Sequence, residues 1–354
     1  MIAISEWLPQ WALFSAIVVA SGALAYLLII ALQPLLERYA LAQPNTRSSH
    51  KVPTPQGGGI AVVASTIVVA VLAAILLPSL NVDLIRLGPL FAMTAVLAVV
   101  GSSDDVRPME VLPRLLLQTA AVSVLIYTMP DDFRILPVMP WWVERVLLIV
   151  GSLWFVNLVN FMDGVDWMTV AEVVPLTAGL ALFGLWGALP PGATLVALAL
   201  CGATIGFAPF NRPIARLFLG DVGSLPIGLL LGWLLVSLAG NGHLVAALLL
   251  PLYYLADATV TLLRRLVKGE SILQAHRRHY YQQAIAKSMS VYQIVGRVFF
   301  LNIALVGLAA LILQVSPVLQ VALLAAGIAL VTFLLWNFAS TGAKDVAEQS
   351  NPSR

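Results

Sequence analysis

Residues 142–187 read WVERVLLIVGSLWFVNLVNFMDGVDWMTVAEVVPLTAGLALFGLWG. Two apolar runs, 142–160 and 170–187, flank a short polar junction in this stretch. Each run is close to the ~20 residues that a helix needs to cross the hydrocarbon core of a membrane. Helices are expected, because lipid offers backbone amides no hydrogen-bond partner. The stretch therefore predicts two membrane-spanning helices joined by a polar turn.

The rest of the chain repeats this pattern. Of the 354 residues, 60% are hydrophobic and 10% are charged, against ~25% charged in a typical soluble domain. This composition excludes a soluble enzyme, a disordered chain and a nucleic-acid-binding module, and one cysteine excludes a disulfide framework. We predict an all-α polytopic membrane bundle of eleven spans, with ten as the alternative count. The runs are 11–32, 57–77, 87–103, 114–129, 142–160, 170–187, 192–210, 222–239, 244–263, 291–313 and 317–338.

Lysine and arginine orient the bundle, because both are enriched in cytoplasmic loops. With the N-terminus on the periplasmic side, 16 of the 19 Lys and Arg residues fall on the cytoplasmic side. The exceptions are Arg86, Arg134 and Arg145. The C-terminus is then cytoplasmic. We expect a single transmembrane domain over residues 1–340 and a short cytoplasmic tail over residues 341–354.

Acidic residues gather on the same predicted face, and polar groups at membrane depth often mark functional sites. Asp104 and Asp105 end the third span, where two carboxylates suit a hard cation or an arginine. A solvated helix end is the alternative. Asp221 lies between Gly220 and Gly223 before the eighth span, where it is either a metal ligand or a helix N-cap. These carboxylates are the first candidates for a site.

The polar junction repeats Asn157, Asn160, Asp163 and Asp166 at three-residue steps. Such a step turns a helix by ~300°, so neighbouring members share a face, but the drift reaches ~180° over three steps. We expect Gly164 to break the helix so that all four side chains line one cavity. Their oxygens suit Mg²⁺ and a polar ligand. Helix capping and packing of one polar face is the alternative.

Two loops on this face are basic. The longer loop spans 264–282, and its density of cations suits a diphosphate, with attraction to anionic lipid headgroups as the alternative. Its candidate phosphate ligands are His276, Arg277, Arg278 and His279. The loop over 44–59 either lies over a phosphorylated ligand or connects two spans. Its candidate contacts are Arg47, His50 and Lys51.

Oxygen ligands for Mg²⁺ and cations for phosphate on one face of a lipid-accessible bundle favour phosphoryl transfer involving a lipid-embedded substrate. The main alternative is a secondary transporter, with Asp257 of the ninth span as a proton relay. Against it, the acids lie at one face, not at the midplane, and the chain shows no repeated halves. We instead expect Asp257 to pair with Arg264 and Arg265 near the membrane interface.

In this order, the motifs resemble those of the polyprenyl-phosphate N-acetylhexosamine-1-phosphate transferases, of the glycosyltransferase family 4 type. That family includes phospho-N-acetylmuramoyl-pentapeptide transferase and the enzymes that initiate O-antigen assembly. The resemblance covers roughly two thirds of the chain. It is carried by Pro44-Asn45 through Arg47, His50 and Gly57-Gly58; Asp104-Asp105 with Arg114 and Gln118; Asn157-x-x-Asn160-x-x-Asp163-Gly164-x-Asp166; Gly220-Asp221-x-Gly223-Ser224; and His276-x-x-His279.

The resemblance implies transfer of a sugar 1-phosphate from a UDP-N-acetylhexosamine to undecaprenyl phosphate, with release of UMP. It implies Mg²⁺ as the cofactor, with Mn²⁺ as the alternative. It also implies an enzyme of the bacterial inner membrane, surrounded by lipid, whose active face is cytoplasmic, and it is compatible with a homodimer.

Site roles follow from the resemblance residue by residue. Asn160 and Asp221 are implied as metal ligands, and Asp104 as the base, with Asp105 near it or near the metal. Nucleotide or sugar contacts fall on Asn157, Asp163 and Asp166. Phosphate contacts fall on His276, Arg277, Arg278, His279 and Arg114.

Two departures from the family pattern bear on the sugar. Trp167-Met168 follows Asp166 where the family often has Gly-Leu, and we expect the indole to reshape the nucleotide or sugar pocket. The loop lacks the run of three histidines found in the muramoyl-pentapeptide enzymes, and it is more similar to the O-antigen-initiating branch. N-acetylglucosamine or a modified derivative is therefore the expected sugar, and a peptidoglycan role is the alternative.

Overall fold

The computed structural model describes residues 9–42, 53–270 and 277–340. Within these ranges the chain is a helical bundle, and its one sheet pairs β1 (Leu41–Ala42) with β2 (Thr54–Pro55). The all-α prediction is confirmed. The helices are α1 (Gln10–Tyr39), α2 (Gly58–Leu76), α3 (Leu84–Val106), α4 (Val111–Tyr127), α5 (Trp141–Met162), α6 (Met168–Leu185), α7 (Pro191–Phe207), α8 (Asp221–Leu238), α9 (Leu244–Leu249), α10 (Leu252–Val267), α11 (Tyr280–Ala286), α12 (Val291–Ile312) and α13 (Pro317–Ser340).

Among the described residues, eight helical segments are long and apolar enough to cross a membrane. They are α1, α2, α3, α5, α6, α12, α13 and the segment Asp221–Leu249, in which a π-helical turn joins α8 to α9. The helices α4 and α7 are apolar but shorter, at 17 residues each. The polytopic class is confirmed.

The predicted ninth span, 244–263, differs in the structure. The helix is interrupted at Leu250 and Pro251, so that α9 has 6 residues and a separate helix, α10, begins at Leu252. Proline removes a backbone donor and interrupts a helix at the preceding turn. One predicted span is therefore two helices.

Connections predicted on one side of the membrane meet at one end of the bundle. Gln56 forms a parallel bridge with Phe218, and its side-chain amide donates to the Asp105 carbonyl oxygen at 3.0 Å. The Tyr281 hydroxyl donates to the Phe161 carbonyl oxygen at 3.2 Å. Five connections that are distant in sequence, those that follow α1, α3, α5, α7 and α10, thus share one end, as the predicted alternation of spans requires. Which side of a membrane this end faces stays a prediction, as does the division into a domain and a tail.

The centre of the bundle is formed by α7 and α8. In the span that begins with α8, 89% of the apolar window is buried, against 28% for α1 and 22% for α13. Peripheral helices therefore present apolar surface to lipid, while α8 is enclosed by protein. The first residue of α8, Asp221, consequently lies in the middle of the bundle end.

Candidate active site

Four helices bring one polar side chain each to this point. Arg114 of α4 donates from Nη1 to Oδ2 of Asp104 at 2.5 Å, and the same nitrogen lies 3.6 Å from Oδ2 of Asp221. Asn160 of α5 donates from Nδ2 to Oδ1 of Asp221 at 2.8 Å. We call Asp104, Arg114, Asn160 and Asp221 the acidic centre. Its members were predicted separately, and the fold brings them together.

Asp105 lies beside the acidic centre, but its carboxylate binds backbone. Its two oxygens accept from the N–H groups of Asp221 at 2.9 Å and Val222 at 3.0 Å. These are first-turn amides of α8, which have no acceptor within their own helix. Gly101 permits the contact between the helices, because a Cβ there would lie 2.2 Å from the Asp221 carbonyl oxygen. The contacts of Asp105 thus fix the start of α8 and the position of Asp221.

The acidic centre has oxygen ligands of the kind that Mg²⁺ binds. Asn160 directs its amide nitrogen to Asp221 and Ser224, both at 2.8 Å, which leaves its carbonyl oxygen as a ligand. In the described ranges, no group of three or more His, Cys, Asp or Glu could hold a metal. Mg²⁺ commonly binds one or two protein oxygens together with waters and substrate phosphates. Asn160 and the 27% exposed Asp221 side chain fit that arrangement.

The Asn/Asp repeat is broken where the sequence predicts it, since α5 ends at Met162 and α6 begins at Met168. Its four side chains nevertheless bond to four different elements. Because α5 stays regular past Asn160, the drift around the helix directs Asn157 to a different neighbour. The structure thus gives the four side chains four separate hydrogen-bond partners, and their lining of one cavity stays a prediction. The partners are Gln118 for Asn157, Asp221 for Asn160, Thr169 for Asp163 and the Ala215 amide for Asp166.

Asp163 lies in the turn between α5 and α6 and accepts a hydrogen bond from the Thr169 hydroxyl. Burial raises the pKa of this carboxyl from its ordinary 3.8 to about 7. The Thr169 hydrogen bond acts in the opposite direction, and the neighbouring charges of Asp105 and Asp166 add to the increase. Asp163 is thus a group of the site that changes charge near neutral pH.

The raised pKa predicts a pH-dependent stability. Because the pKa of Asp163 is higher in the folded than in the unfolded protein, its protonated carboxyl contributes stability. This contribution is fully present below about pH 4 and is lost as the pH rises through about 7. Asp163→Asn has no ionisable group at this position and therefore lacks this loss of stability. We expect the melting temperature of the variant, relative to that of the unsubstituted protein, to rise between about pH 5 and about pH 8. The control is Asp83→Asn, a substitution of the exposed acid that caps the start of α3. If the difference in melting temperature between Asp163→Asn and the unsubstituted protein changes with pH no more than it does for Asp83→Asn, the assignment is contradicted.

Trp167 has a backbone φ of 63°, in the left-handed region, at the start of α6. Its backbone N–H donates to Oδ1 of Asn211 at 2.8 Å, and its indole N–H donates to the Ala208 carbonyl oxygen at 2.6 Å. The ring also meets Tyr292 edge to face, at 6.0 Å between centroids. The indole therefore anchors the chain that follows α7. Its predicted effect on a nucleotide or sugar pocket stays a prediction.

His279 is held by a buried carboxylate. Nδ1 of His279 lies 3.2 Å from Oδ1 of Asp257, which also accepts from the Tyr280 amide at 3.0 Å. Arg265 pairs instead with Glu270, at 3.4 Å. The expected pairing of Asp257 with Arg264 and Arg265 is therefore corrected. The physical reason is distance, since seven or eight residues of helix separate the groups by ~11 Å along its axis.

The segment that begins at His279 packs on the Asp163 turn. The Tyr281 hydroxyl would lie 2.3 Å from a Cβ at Gly164, so only glycine allows this approach. Arg277 and Arg278 are exposed, and Arg278 pairs with Glu270. The structure thus places His279 and Arg278 on a segment adjoining Asp163. The other basic candidates, Arg47, His50, Lys51 and His276, lie outside the described residues.

Two supporting residues have no role in the sequence analysis. Thr169 donates to Asp163, and Gln118 accepts from Asn157 at 2.7 Å. Gln118 lies four residues after Arg114, which places both on one face of α4, and it accompanies Arg114 in the motif that carries the family resemblance, where no role is given to it. No sequence signal separates Thr169 from other polar residues within apolar helices.

Comparisons with known proteins agree with this architecture. Residues 87–239 match the family described as Glycosyl transferase family 4. The chain is 24% identical over 315 residues to the probable undecaprenyl-phosphate N-acetylglucosaminyl 1-phosphate transferase of Bacillus subtilis (strain 168), covering 80% of this chain and 84% of the relative. It is 28% identical over 283 residues to the decaprenyl-phosphate N-acetylglucosaminephosphotransferase of Mycobacterium tuberculosis (strain ATCC 25618 / H37Rv), covering 70% and 69%. It is 33% identical over 178 residues to the phospho-N-acetylmuramoyl-pentapeptide-transferase of Neisseria meningitidis serogroup C (strain 053442), covering 45% and 47%.

The apolar helices and these matches together define a multi-pass membrane transferase of phosphosugars. More narrowly, the family model and the relatives support the polyprenyl-phosphate hexosamine-1-phosphate transferase family. The resemblance drawn from the motifs is thereby confirmed at the level of the family. These matches disfavour the transporter hypothesis, and the matched relatives include both N-acetylglucosamine and muramoyl-pentapeptide enzymes.

Proposed function

We propose that this protein transfers a sugar 1-phosphate from a UDP-N-acetylhexosamine to undecaprenyl phosphate and releases UMP. Mg²⁺ is the cofactor, and the acidic centre faces the cytoplasm at the bacterial inner membrane. The observation that carries the proposal is the acidic centre itself. One arginine bridges two carboxylates, and an asparagine orients one of them, at the end of a lipid-facing bundle.

The reaction exchanges one phosphoanhydride for another. An oxygen of the lipid phosphate attacks the β-phosphorus of the donor, the bond from that phosphorus to the bridging oxygen breaks, and UMP leaves with the bridging oxygen. Such reactions depend mainly on alignment and on neutralising the phosphate charges. A phosphate monoester is already largely ionised near neutral pH. A strong protein base is therefore not required.

Asp104 then has a more specific task than proton removal. Its carboxylate accepts from Arg114 at 2.5 Å and from the Met109 amide at 2.6 Å, so that both oxygens are engaged. Asp104 thereby orients the Arg114 guanidinium, and the same guanidinium reaches toward Asp221. We assign Arg114 to an attacking or leaving phosphate oxygen and Asp104 to its alignment. Asp105 supports both by holding the start of α8.

Asn160 and Asp221 would hold the cation, which supplies charge neutralisation on the donor diphosphate when bound. His279, Arg278 and Arg277 provide cationic or hydrogen-bonding groups beside the Asp163 turn, where the diphosphate and nucleotide are assigned. His276, Arg47, His50 and Lys51 are retained as candidate contacts on sequence alone. Asp163 and Asp166 are assigned to the nucleotide and Asn157 to the support of α5 against α4.

The sugar is proposed to be N-acetylglucosamine or a modified derivative, and the pathway to be an O-antigen-like cell-surface glycan. Two relatives whose names specify N-acetylglucosamine and a polyprenyl phosphate support this choice. The muramoyl-pentapeptide donor of peptidoglycan synthesis is the second candidate, because relatives of that name are 33% identical over 45% of the chain. A homodimer stays a prediction.

A donor panel tests the proposal. Purified protein is incubated with undecaprenyl phosphate and, in turn, UDP-N-acetylglucosamine, modified UDP-N-acetylhexosamines and UDP-N-acetylmuramoyl-pentapeptide. We expect UMP release that requires the lipid and Mg²⁺, with the fastest donor naming the sugar. UMP release without lipid would indicate a hydrolase, and no release from any donor beside a working control enzyme would contradict the proposal.

A further inference from the structure

A cluster of buried polar side chains lies between α6, α10 and α12, outside the contacts assigned above. Its members are Glu172, Tyr254 and Asn302, which are 1%, 0% and 2% exposed. Each carries an atom without a hydrogen-bond partner: Oε1 of Glu172, the Tyr254 hydroxyl and Oδ1 of Asn302. The large majority of buried side-chain polar atoms in proteins have a hydrogen-bond partner. Of these three atoms, the Tyr254 hydroxyl carries its own proton, whereas the oxygens of Glu172 and Asn302 lack a donor.

The Glu172–Asn302 pair identifies that donor. Nδ2 of Asn302 donates to Oε2 of Glu172 at 2.7 Å and to the Ala171 carbonyl oxygen at 2.9 Å. Asn302 is the one side chain among the described residues that hydrogen-bonds Glu172, and no described cation pairs with it. The atoms left over, Oε1 and Oδ1, are both acceptors. A single proton on Oε1 converts it into a donor and allows the acid and the amide to bond at both ends.

The surroundings also disfavour an ionised Glu172. A carboxylate inside a membrane bundle needs a cation or several hydrogen bonds to offset its lost hydration. Here the described partner is one neutral amide. A carboxylic acid in the same position carries no net charge and forms two hydrogen bonds with Asn302. The neutral form therefore satisfies the unpaired oxygens of both Glu172 and Asn302 with no further group.

We propose that Glu172 is held as a neutral carboxylic acid paired with Asn302, and that this pair positions Asp163. The positioning part rests on the proposed function. Glu172 follows Thr169 by three residues and shares its face of α6, and Thr169 donates to Asp163. Tyr254 lies beside Thr169 and close to Glu172. Fixing α6 to α12 through the acid–amide pair thus fixes the hydroxyl that holds Asp163.

Two substitutions separate a neutral acid from a charged one. Glu172→Gln keeps the shape and replaces the acid O–H with an amide N–H, so both hydrogen bonds to Asn302 persist. We expect an unchanged melting temperature and a UMP-release rate within about twofold of that of the unsubstituted protein. Glu172→Ala leaves Asn302 unpaired, and we expect a lower melting temperature and about a tenfold higher KM for the donor, with the KM for the lipid unchanged.

Infrared spectra give a readout that is independent of activity. We expect the carboxylic acid carbonyl band to lose intensity at about pH 8 in Glu172→Gln and to keep it in Asp83→Asn. An unchanged band, or a Glu172→Gln variant as impaired as Glu172→Ala, would overturn the neutral acid. A lower melting temperature in Glu172→Ala with both KM values unchanged would overturn the positioning role. If the unsubstituted protein shows the band but no transfer, the proposed function fails and the acid–amide pair stands.

Discussion

Asp221→Asn is expected to reduce UMP release by at least about 100-fold, with little change in melting temperature. The substitution keeps the shape of a side chain that contacts Asn160 and faces Arg114, but removes the charge that would bind the cation. Metal stabilisation of a reacting phosphate is worth several kcal/mol, and each ~1.4 kcal/mol corresponds to a tenfold change in rate. The measurement is the initial rate of UMP release at saturating donor and lipid.

Asp83→Asn is the matched control for this prediction. Asp83 is an exposed acid that caps the start of α3, at the end of the bundle remote from Asp104, and asparagine is an equally good helix cap. Its UMP release should equal that of the unsubstituted protein. If Asp221→Asn retains more than about a tenth of the activity, Asp221 is not the main cation ligand and the assignment of the acidic centre is wrong.

Asp257→Ala is expected to reduce kcat/KM by about 10- to 100-fold, although Asp257 lies outside the acidic centre. The carboxylate is fully buried and holds His279 together with the amides of Tyr280 and Tyr281. Loss of a carboxylate that orients a metal-bound histidine typically costs about 10- to 100-fold in activity, and we expect a loss of similar size for a histidine that contacts phosphate. The segment beside the Asp163 turn should lose its anchor, so the KM for the donor should rise.

Asp257→Asn provides the graded comparison, because it keeps an acceptor for the Tyr280 amide and removes the charge opposite His279. We expect its activity to lie between those of Asp257→Ala and the unsubstituted protein. Melting temperatures distinguish a lost anchor from unfolding. Folded Asp257→Ala protein with unchanged kcat/KM would show that His279 does not contact the donor.

The sequence predicts the fold class well, because hydropathy over about 20 residues follows from the thickness of the membrane. It also predicts the break after Met162 and the helix start at Asp221, since glycine and acidic residues mark such ends. The predicted ninth span is wrong in one respect. Hydropathy alone does not detect the interruption at Pro251, because a proline can occur within an apolar run without lowering its hydropathy much.

Side-chain partners are harder to predict than helices. The members of the acidic centre could be proposed from their residue types and order, but their contacts depend on how α3, α4, α5 and α8 cross. Asp105 illustrates this difference. Its sequence neighbour, Asp104, faces Arg114, whereas Asp105 faces the backbone of α8. Adjacent residues on a helix point about 100° apart, so one acid reaches a side chain and the other a helix end.

Asp257 and Glu172 show the limit of local patterns. The expected partners of Asp257 were the arginines closest in sequence, and the partner found, His279, follows 22 residues later. Glu172 and Asn302 are separated by 130 residues. No periodicity within one helix connects such pairs, because they arise only when α6 packs against α12 and α10 receives the segment that begins at His279.

The most direct test of the central claim follows a radiolabel at the β-phosphate of the best UDP-N-acetylhexosamine donor. The account predicts that the label moves into the lipid fraction together with the sugar, and that the released nucleotide is unlabelled UMP. Transfer of the sugar alone would leave the label in water-soluble UDP. That result would contradict the claim that the acidic centre catalyses transfer of a sugar 1-phosphate.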